Sequence, residues 1–219
     1  MKKFLKILKK CPLFDGIDDD DLLKMLHCLG ARVENFDKKY TILAEGSAAK
    51  YIGIVLSGSA QILQFDYYGN KSILSNIEPS EVFGEAFACA EMAYIPVTVI
   101  ANEPSEIMLI NSSHILHTCE NNCGFHQKLI FNLMKDLAKK TILFHERIDI
   151  TSKRTTREKL MTYLALMAKK ANSNSFTIPF DRQELADYLE ADRSGLCAEI
   201  SKLRREGILE SRKNHFKLL

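Results

Sequence analysis

Residues 180–203, FDRQELADYLEADRSGLCAEISKL, read as two short helices joined by a tight turn. Asp181 stands where a helix N-cap belongs, and Glu184 three residues on completes the spacing of a capping box. Leu185, Ala186 and Leu189 then form a one-sided apolar stripe, as a helix packed on one face requires. Glu190-Ala191 makes the turn, and Asp192 caps the second helix, whose inner face is Leu196, Ile200 and Leu203. Arg193 and Ser194 sit at that helix's N-terminal end, where a recognition helix meets base edges and phosphates. Lys202, Arg204 and Arg205 follow on the same helix. Further on, residues 208–218, ILESRKNHFKL, form two short alternating runs around Lys213-Asn214, the pattern of a small hairpin wing.

Charge points the same way. The formal net charge is only +2, but the chain is asymmetric. Residues 1–150 hold 16 Lys+Arg against 19 Asp+Glu, a net of −3, whereas residues 151–219 hold 14 against 9, a net of +5. A basic end that coincides with a two-helix motif is the electrostatic footprint of a nucleic-acid-binding end.

At 219 residues the chain is long enough for two domains with their own cores. Cys11, Cys28, Cys89, Cys119, Cys123 and Cys197 are scattered, and no secretory leader is expected. Lys6 and Lys9 break up the apolar residues of the opening MKKFLKILKK, so no membrane span is expected there, and a packed N-terminal helix is expected rather than an amphipathic anchor. The expected compartment is a reducing cytoplasm with free thiols.

Residues 1–30 look helical, with Asp18 to Asp21 as an acidic first turn for Leu22, Leu23, Leu26 and Leu29. From Arg32 to Ile110 the pattern changes to short alternating runs. Those at residues 52–56, 60–65, 72–77 and 96–101 are strand-like, and Tyr68-Gly69-Asn70 reads as a hairpin turn. Many short strands at regular spacing predict a compact antiparallel barrel or roll. A short helix is expected near residues 112–119, then a long one over residues 124–150. In the long one Ile130, Met134, Leu137, Thr141, Phe144 and Ile148 recur at spacings of 4, 3, 4, 3 and 4. This is a heptad seam, read here as a coiled-coil dimer interface; a helix buried within its own domain is the alternative. Thr155 with Glu158 starts another helix lined by Leu160, Leu164 and Met167, and a strand is expected at Thr177-Ile178-Pro179. The fold class is therefore α+β: an antiparallel β-roll, a long helix and a C-terminal winged helix-turn-helix.

That order of parts resembles the CRP/FNR family of bacterial transcription regulators. The resemblance is carried by Pro12-Leu13-Phe14 with Gly16-Ile17, by Glu45-Gly46 with Tyr51, Val55 and Gly58, and by Phe83-Gly84-Glu85. Arg182-Gln183-Glu184-Leu185-Ala186 and Asp192-Arg193-Ser194 complete it. It implies an effector-sensing, cyclic-nucleotide-binding-like roll at residues 1–123, a dimerisation helix at 124–150 and a winged helix-turn-helix at 151–219. It also implies a homodimer on a palindromic double-stranded operator, with RNA polymerase as a further partner. The implied DNA-contacting set is Arg182, Gln183, Arg193, Ser194, Gly195, Ala198, Lys202 and Arg205. The implied effector pocket is Phe83, Gly84, Glu85, Ala86, Ile95, Pro96 and Val97 with Ile142 and Leu143 of the long helix.

Two departures from the family pattern stand out. Cyclic-nucleotide members follow the Gly-Glu turn with an Arg-Ser or Arg-Thr pair that holds the cyclic phosphate. Here Ile95-Pro96 occupy those places, with no charge and, at Pro96, no backbone N–H. A buried phosphate without a counter-charge costs several kcal/mol, at least on the order of a thousandfold in affinity. The family's polar adenine contacts fall near the apolar Ile142 and Leu143. The expected effector is thus not cyclic AMP but an unidentified uncharged or hydrophobic small molecule, or none. In the recognition helix, Ser194 stands where many members carry Glu, and Ala198 where many carry a second Arg. Arg193 suits a bidentate guanine contact, with phosphate binding as the alternative.

Other residue clusters bring chemistry of their own. His114, His117, Cys119, Cys123 and His126 are types that hold zinc or iron, and Cys119 with Cys123 suits a thiol redox switch. The loop residues Asn121, Asn122 and Gly124 argue against a fixed ligand set, so no metal and no cofactor is expected. An enzyme is not expected either. Residues 28–113, the whole roll, contain no histidine, and no phosphate-cradling loop or nucleophile–base pairing is present. A non-enzymatic small-molecule-binding protein is the remaining alternative.

Overall fold

The computed structural model describes residues 1–65, 67–68, 71–116 and 124–219. The chain separates into two compact units, Met1–Ala138 and Lys139–Leu219.

In the first unit the amino terminus is helical in several pieces. A helical turn at Lys2–Phe4 leads into α1 (Leu5–Leu8), a second turn spans Pro12–Phe14, and α2 covers Asp19–Cys28. Pro12 cannot continue a helix, and Gly16 turns the chain at φ +67°. Phe4 and Leu8 are buried in the unit's core, so the basic opening segment is packed rather than free. No helix among the described residues is long and apolar enough to cross a membrane.

Among the described residues eight strands follow: β1 (Arg32–Phe36), β2 (Thr41–Leu43), β3 (Tyr51–Ser57), β4 (Ala60–Phe65), β5 (Lys71–Ile77), β6 (Val82–Phe83), β7 (Thr98–Ala101) and β8 (Ser105–Asn111). They form two antiparallel four-stranded sheets, ordered β1-β8-β3-β6 and β2-β7-β4-β5. This is the expected roll. The strand expected at residues 96–101 starts later, at Thr98. Pro96 has no N–H to give a ladder, and Ile95 instead exchanges backbone bonds with the loop, Gly46 N–H donating to its carbonyl and its own N–H donating to Ser47. The turn expected at Tyr68-Gly69-Asn70 keeps Tyr68 as a turn residue; Gly69 and Asn70 lie outside the described residues.

Strands β3 and β8 are apolar at nearly every position because both faces are covered. Ile52, Ile54, Leu56, Met108 and Ile110 face the helices of the amino terminus. Val55, Ile107 and Leu109 face the roll interior, in one cluster with Phe36, Leu43, Ala60, Phe83, Ile95, Val97 and Val99. Between them Gly53 lies under the Phe83 ring: a Cβ there would stand 2.1 Å from Phe83 Cζ. Phe83 is fully buried, so the ring has nowhere cheap to go. Gly53→Ala should therefore destabilise this unit by about 1–3 kcal/mol. Urea unfolding should show a lower midpoint at unchanged slope. An unchanged midpoint would mean that the interior around Phe83 gives way freely.

After α3 (Glu85–Cys89) and α4 (Ser112–Leu116), α5 runs over Gly124–Thr151. Within the first unit its Leu129 and Leu133 enter the core, and Asn132 Nδ2 donates to the carbonyls of Leu13 (3.0 Å) and Asp15 (2.9 Å).

In the second unit Ile150 of α5 joins a core built from α6 (Thr156–Ala171), β9 (Ser175–Thr177), α7 (Arg182–Tyr188), α8 (Arg193–Arg205), β10 (Leu209–Arg212) and β11 (His215–Leu218). Thr155 and Asp181 each form a complete capping box, with Glu158 and Glu184. Glu190 takes the turn at φ 49° and Lys213 the hairpin at φ 53°, both as expected. The wing has a third strand, the sheet order being β10-β11-β9. This strand lies at Ser175–Thr177, two residues earlier than expected, because Pro179 cannot donate to a ladder.

Candidate nucleic-acid interface

Helix α8 is anchored by one face and open on the other. Leu196, Ile200 and Leu203 are buried against Leu185, Ala186, Leu189 and Leu164. At 100° per residue, Ser194, Ala198, Ser201 and Arg205 fall on the opposite side, and all four are exposed. Arg193, Gly195 and Lys202 are exposed as well. Neither the Arg193 guanidinium nor the Lys202 ammonium has a side-chain hydrogen bond or ion pair among the described residues, although Lys202 feels the charge of Glu206.

The amino end of α8 is tightly ordered. Asp192 Oδ2 accepts from Gly195 N–H (2.7 Å) and from the Ser194 hydroxyl (2.5 Å). The Ser194 hydroxyl, with the Gly195 amide, holds the Asp192 carboxyl below its ordinary range, so it is ionised at neutral pH. This satisfies an orphan N–H of the first turn and presets the backbone from which Arg193 projects. Behind the helix, Arg157 of α6 reaches Glu199 (3.4 Å) and Glu206 (2.6 Å). These pairs lie 42 and 49 residues apart in sequence, so no local pattern announces them.

Arg182 and Gln183 are placed differently from the rest of the expected DNA-contacting set. Arg182 is half-buried, with its guanidinium over the Phe216 ring (4.8 Å) and Nη2 donating to Ser211 Oγ (3.4 Å). Burial pulls its pKa down, partly offset by Cys197 nearby. It thus ties the start of α7 to the wing. Gln183 is exposed, and its amide donates to Asp187 Oδ1 at 2.9 Å. Arg212 and Lys213, outside the expected set, are exposed at the wing tip; their basic pair at a hairpin turn was the signal available for them. Tyr163, Phe180 and Tyr188 form an aromatic cluster under α7, and Arg147 of α5 lies over the Tyr188 ring at 5.6 Å. Burial, and then Tyr188, pushes the Tyr163 phenol up to about 12.

The residues expected to line an effector pocket divide. Phe83, Ile95 and Val97 are buried together in the roll interior. Gly84 turns at φ +78°, where a Cβ would meet the Tyr51 carbonyl at 2.9 Å, and Glu85 beside it is buried at the start of α3. Ala86 and Pro96 are exposed. Ile142 and Leu143 belong to the second unit and are exposed on α5.

Along α5, four of the six seam positions are exposed: Met134, Thr141, Phe144 and Ile148. Phe144 is 64% and Ile148 60% exposed. Ile130 and Leu137 are half-buried, and Leu137 packs against the core of the first unit.

Of the candidate metal and thiol residues, His117, Cys119 and Cys123 lie outside the described residues. His114 Nδ1 meets the Leu29 carbonyl and His126 Nε2 the His114 carbonyl, each at 2.9 Å. A ring nitrogen facing a carbonyl carries its proton, so these two nitrogens are donors, not ligands. No group of three or more metal-ligating side chains occurs among the described residues.

Two family models match the chain: a cyclic nucleotide-binding domain over residues 33–122 and a Crp-like helix-turn-helix domain over residues 158–219. The chain belongs to the CRP/FNR family. A curated relative of this CRP/FNR member is the transcriptional activator protein FnrL of Cereibacter sphaeroides, 22% identical in an alignment of 184 residues that covers 77% of this chain and 68% of that one. The catabolite activator protein of Thermus thermophilus shares the fold at 19% identity and a TM-score of 0.57, over 95% of this chain and 93% of that one. The c-di-GMP responsive global regulator CLP of Xanthomonas campestris shares it at 16% identity and a TM-score of 0.58, over 91% and 99%. As a CRP/FNR-type protein the chain is a DNA-binding transcription regulator with a cyclic-nucleotide-binding-like domain.

Proposed function

We propose that this regulator acts as a homodimer that reads a palindromic operator through α8, under control of a small molecule other than cyclic AMP held in the roll. The observation that carries the DNA reading is the open face of α8. It pairs an ordered amino end at Arg193 and Ser194 with the exposed cations Lys202 and Arg205, in the part of the chain whose net charge is +5 over residues 151–219. Arg193 reads a guanine through its fork, and Lys202 and Arg205 hold phosphates. Ala198 offers a methyl surface, and Gly195 lets the groove approach closely. Arg182 positions the wing, while Gln183 exchanges its bond with Asp187 for one to the backbone of DNA.

The dimer reading rests on the exposed seam of α5, and two-fold pairing suits two half-sites. RNA polymerase is the further partner in transcription control, and the cytoplasm is the compartment where such a complex forms. Selection of bound DNA from a random pool tests the whole reading. An enriched palindrome supports it, and a pool left unenriched overturns it.

Cyclic AMP should neither bind tightly nor be needed for operator binding. Ile95 is buried among apolar side chains, and Pro96 brings no N–H, so a phosphate there would lie without a counter-charge. Calorimetry with the full chain should show no binding tighter than about millimolar, given a loss on the order of a thousandfold. Micromolar binding would sink the argument.

A further inference from the structure

We infer that Ser194 is a specificity-determining residue that reads DNA as a hydrogen-bond acceptor only, favouring adenine or cytosine over guanine or thymine on the strand it faces. The inference rests on the proposed DNA reading of α8 and adds the chemistry of one base step to it.

A serine hydroxyl has one proton and two lone pairs. In Ser194 the proton is already placed, since Oγ donates to Asp192 Oδ2 at 2.5 Å. A carboxylate oxygen can only accept, so the direction of this bond is not in question. The carboxylate is itself fixed, accepting from Gly195 N–H at 2.7 Å as the N-cap of α8. Turning the hydroxyl proton outward would leave a short charge-assisted bond unmade. What Ser194 offers to solvent is therefore a lone pair.

The position of Ser194 makes this consequential. It lies on the stripe opposite Leu196, Ile200 and Leu203 and is exposed. Ser201 on the same stripe also points its proton inward, to the Cys197 carbonyl at 2.9 Å. Ala198 between them has no polar atom. The centre of the outward stripe thus carries no neutral donor, and donors come only from the cations around it.

In the major groove adenine N6 and cytosine N4 are donors, whereas guanine O6 and thymine O4 are acceptors. An acceptor-only oxygen gains a bond with the first pair and faces lone-pair repulsion with the second. The same polarity excludes a phosphate contact, because a phosphate oxygen needs a donor.

The test uses the full chain and its Ser194→Ala, Ser194→Glu and Ser194→Thr variants, each selecting DNA from a random double-stranded pool. Wild type should show one position per half-site, beside the guanine read by Arg193, that holds adenine or cytosine. Ser194→Ala should flatten that position alone. Ser194→Glu, also an acceptor, should keep it, and Ser194→Thr, which keeps the hydroxyl, should keep it as well. On the enriched operator, replacing the target adenine by unsubstituted purine, or the target cytosine by pyrimidin-2-one, should weaken wild type on the order of tenfold. Ser194→Ala should lose nothing by the same replacement. If Ser194→Ala keeps the preference, or weakens every sequence equally with a shallower salt dependence, Ser194 is not a base reader and the inference fails alone. If wild type enriches no sequence, the DNA reading fails together with it.

Discussion

Replacing Phe144 and Ile148 by Asp should convert the protein from a dimer to a monomer. Both side chains are more than half exposed on α5, with Met134 at 57% on the same seam. Fully burying such a side chain is worth about 1.5–3 kcal/mol, so a paired seam repays the cost of association. A carboxylate placed in that dry contact costs several kcal/mol instead. Leu137 is best left in place, because it packs against the core of the first unit and its loss would report on folding as well as assembly. Sedimentation should give about twice the chain mass for wild type and the chain mass for the double variant. Wild type that sediments as a monomer would overturn the dimer, and a variant that stays dimeric would move the interface off this seam.

Arg193→Ala should weaken operator binding and erase the preference at one base pair per half-site. A bidentate contact to guanine O6 and N7 is worth about 1–3 kcal/mol of discrimination. Lys202→Ala should behave otherwise, weakening all sequences alike and lowering the salt slope by about 0.9 for each phosphate that is no longer neutralised. The two half-sites should lie about 34 Å apart, one helical turn. Titrations on single-base operator variants at several salt concentrations separate the two effects. An Arg193→Ala protein with the full wild-type preference would assign base reading to Ser194, the wing or DNA shape.

Residues that act over three or four positions were legible in the sequence. Asp181 with Glu184, Thr155 with Glu158, the Glu190 turn and the Asp192 cap all depend on neighbours along the chain, and the structure has them as read. The period-two runs announced the roll for the same reason. The first thirty residues read as helical, with a fresh first turn at Asp18 to Asp21, and the structure has that turn and divides the segment before it at Pro12 and Gly16. Apolar periodicity there masks two residues whose backbone conformation ends a helix.

The side chains that meet across the fold were not legible. Arg182 reads as one more cation beside a recognition helix, and only the closing of β10 on β11 brings Phe216 and Ser211 to it. Arg157 finds Glu199 and Glu206 for the same reason. The heptad spacing marked a seam on α5 but did not say which of its members the chain would cover itself. Leu137 and Thr141 look alike in that repeat, yet one packs on the core of the first unit and the other is exposed. The sequence by itself thus determined the order of elements, their caps and turns, and the basic two-helix end, because these follow from backbone geometry and side-chain periodicity within a few residues. Only the tertiary structure decided which faces remain open and which distant partners Arg182 and Arg157 meet, because burial and long-range pairing depend on neighbours that the chain supplies from far away.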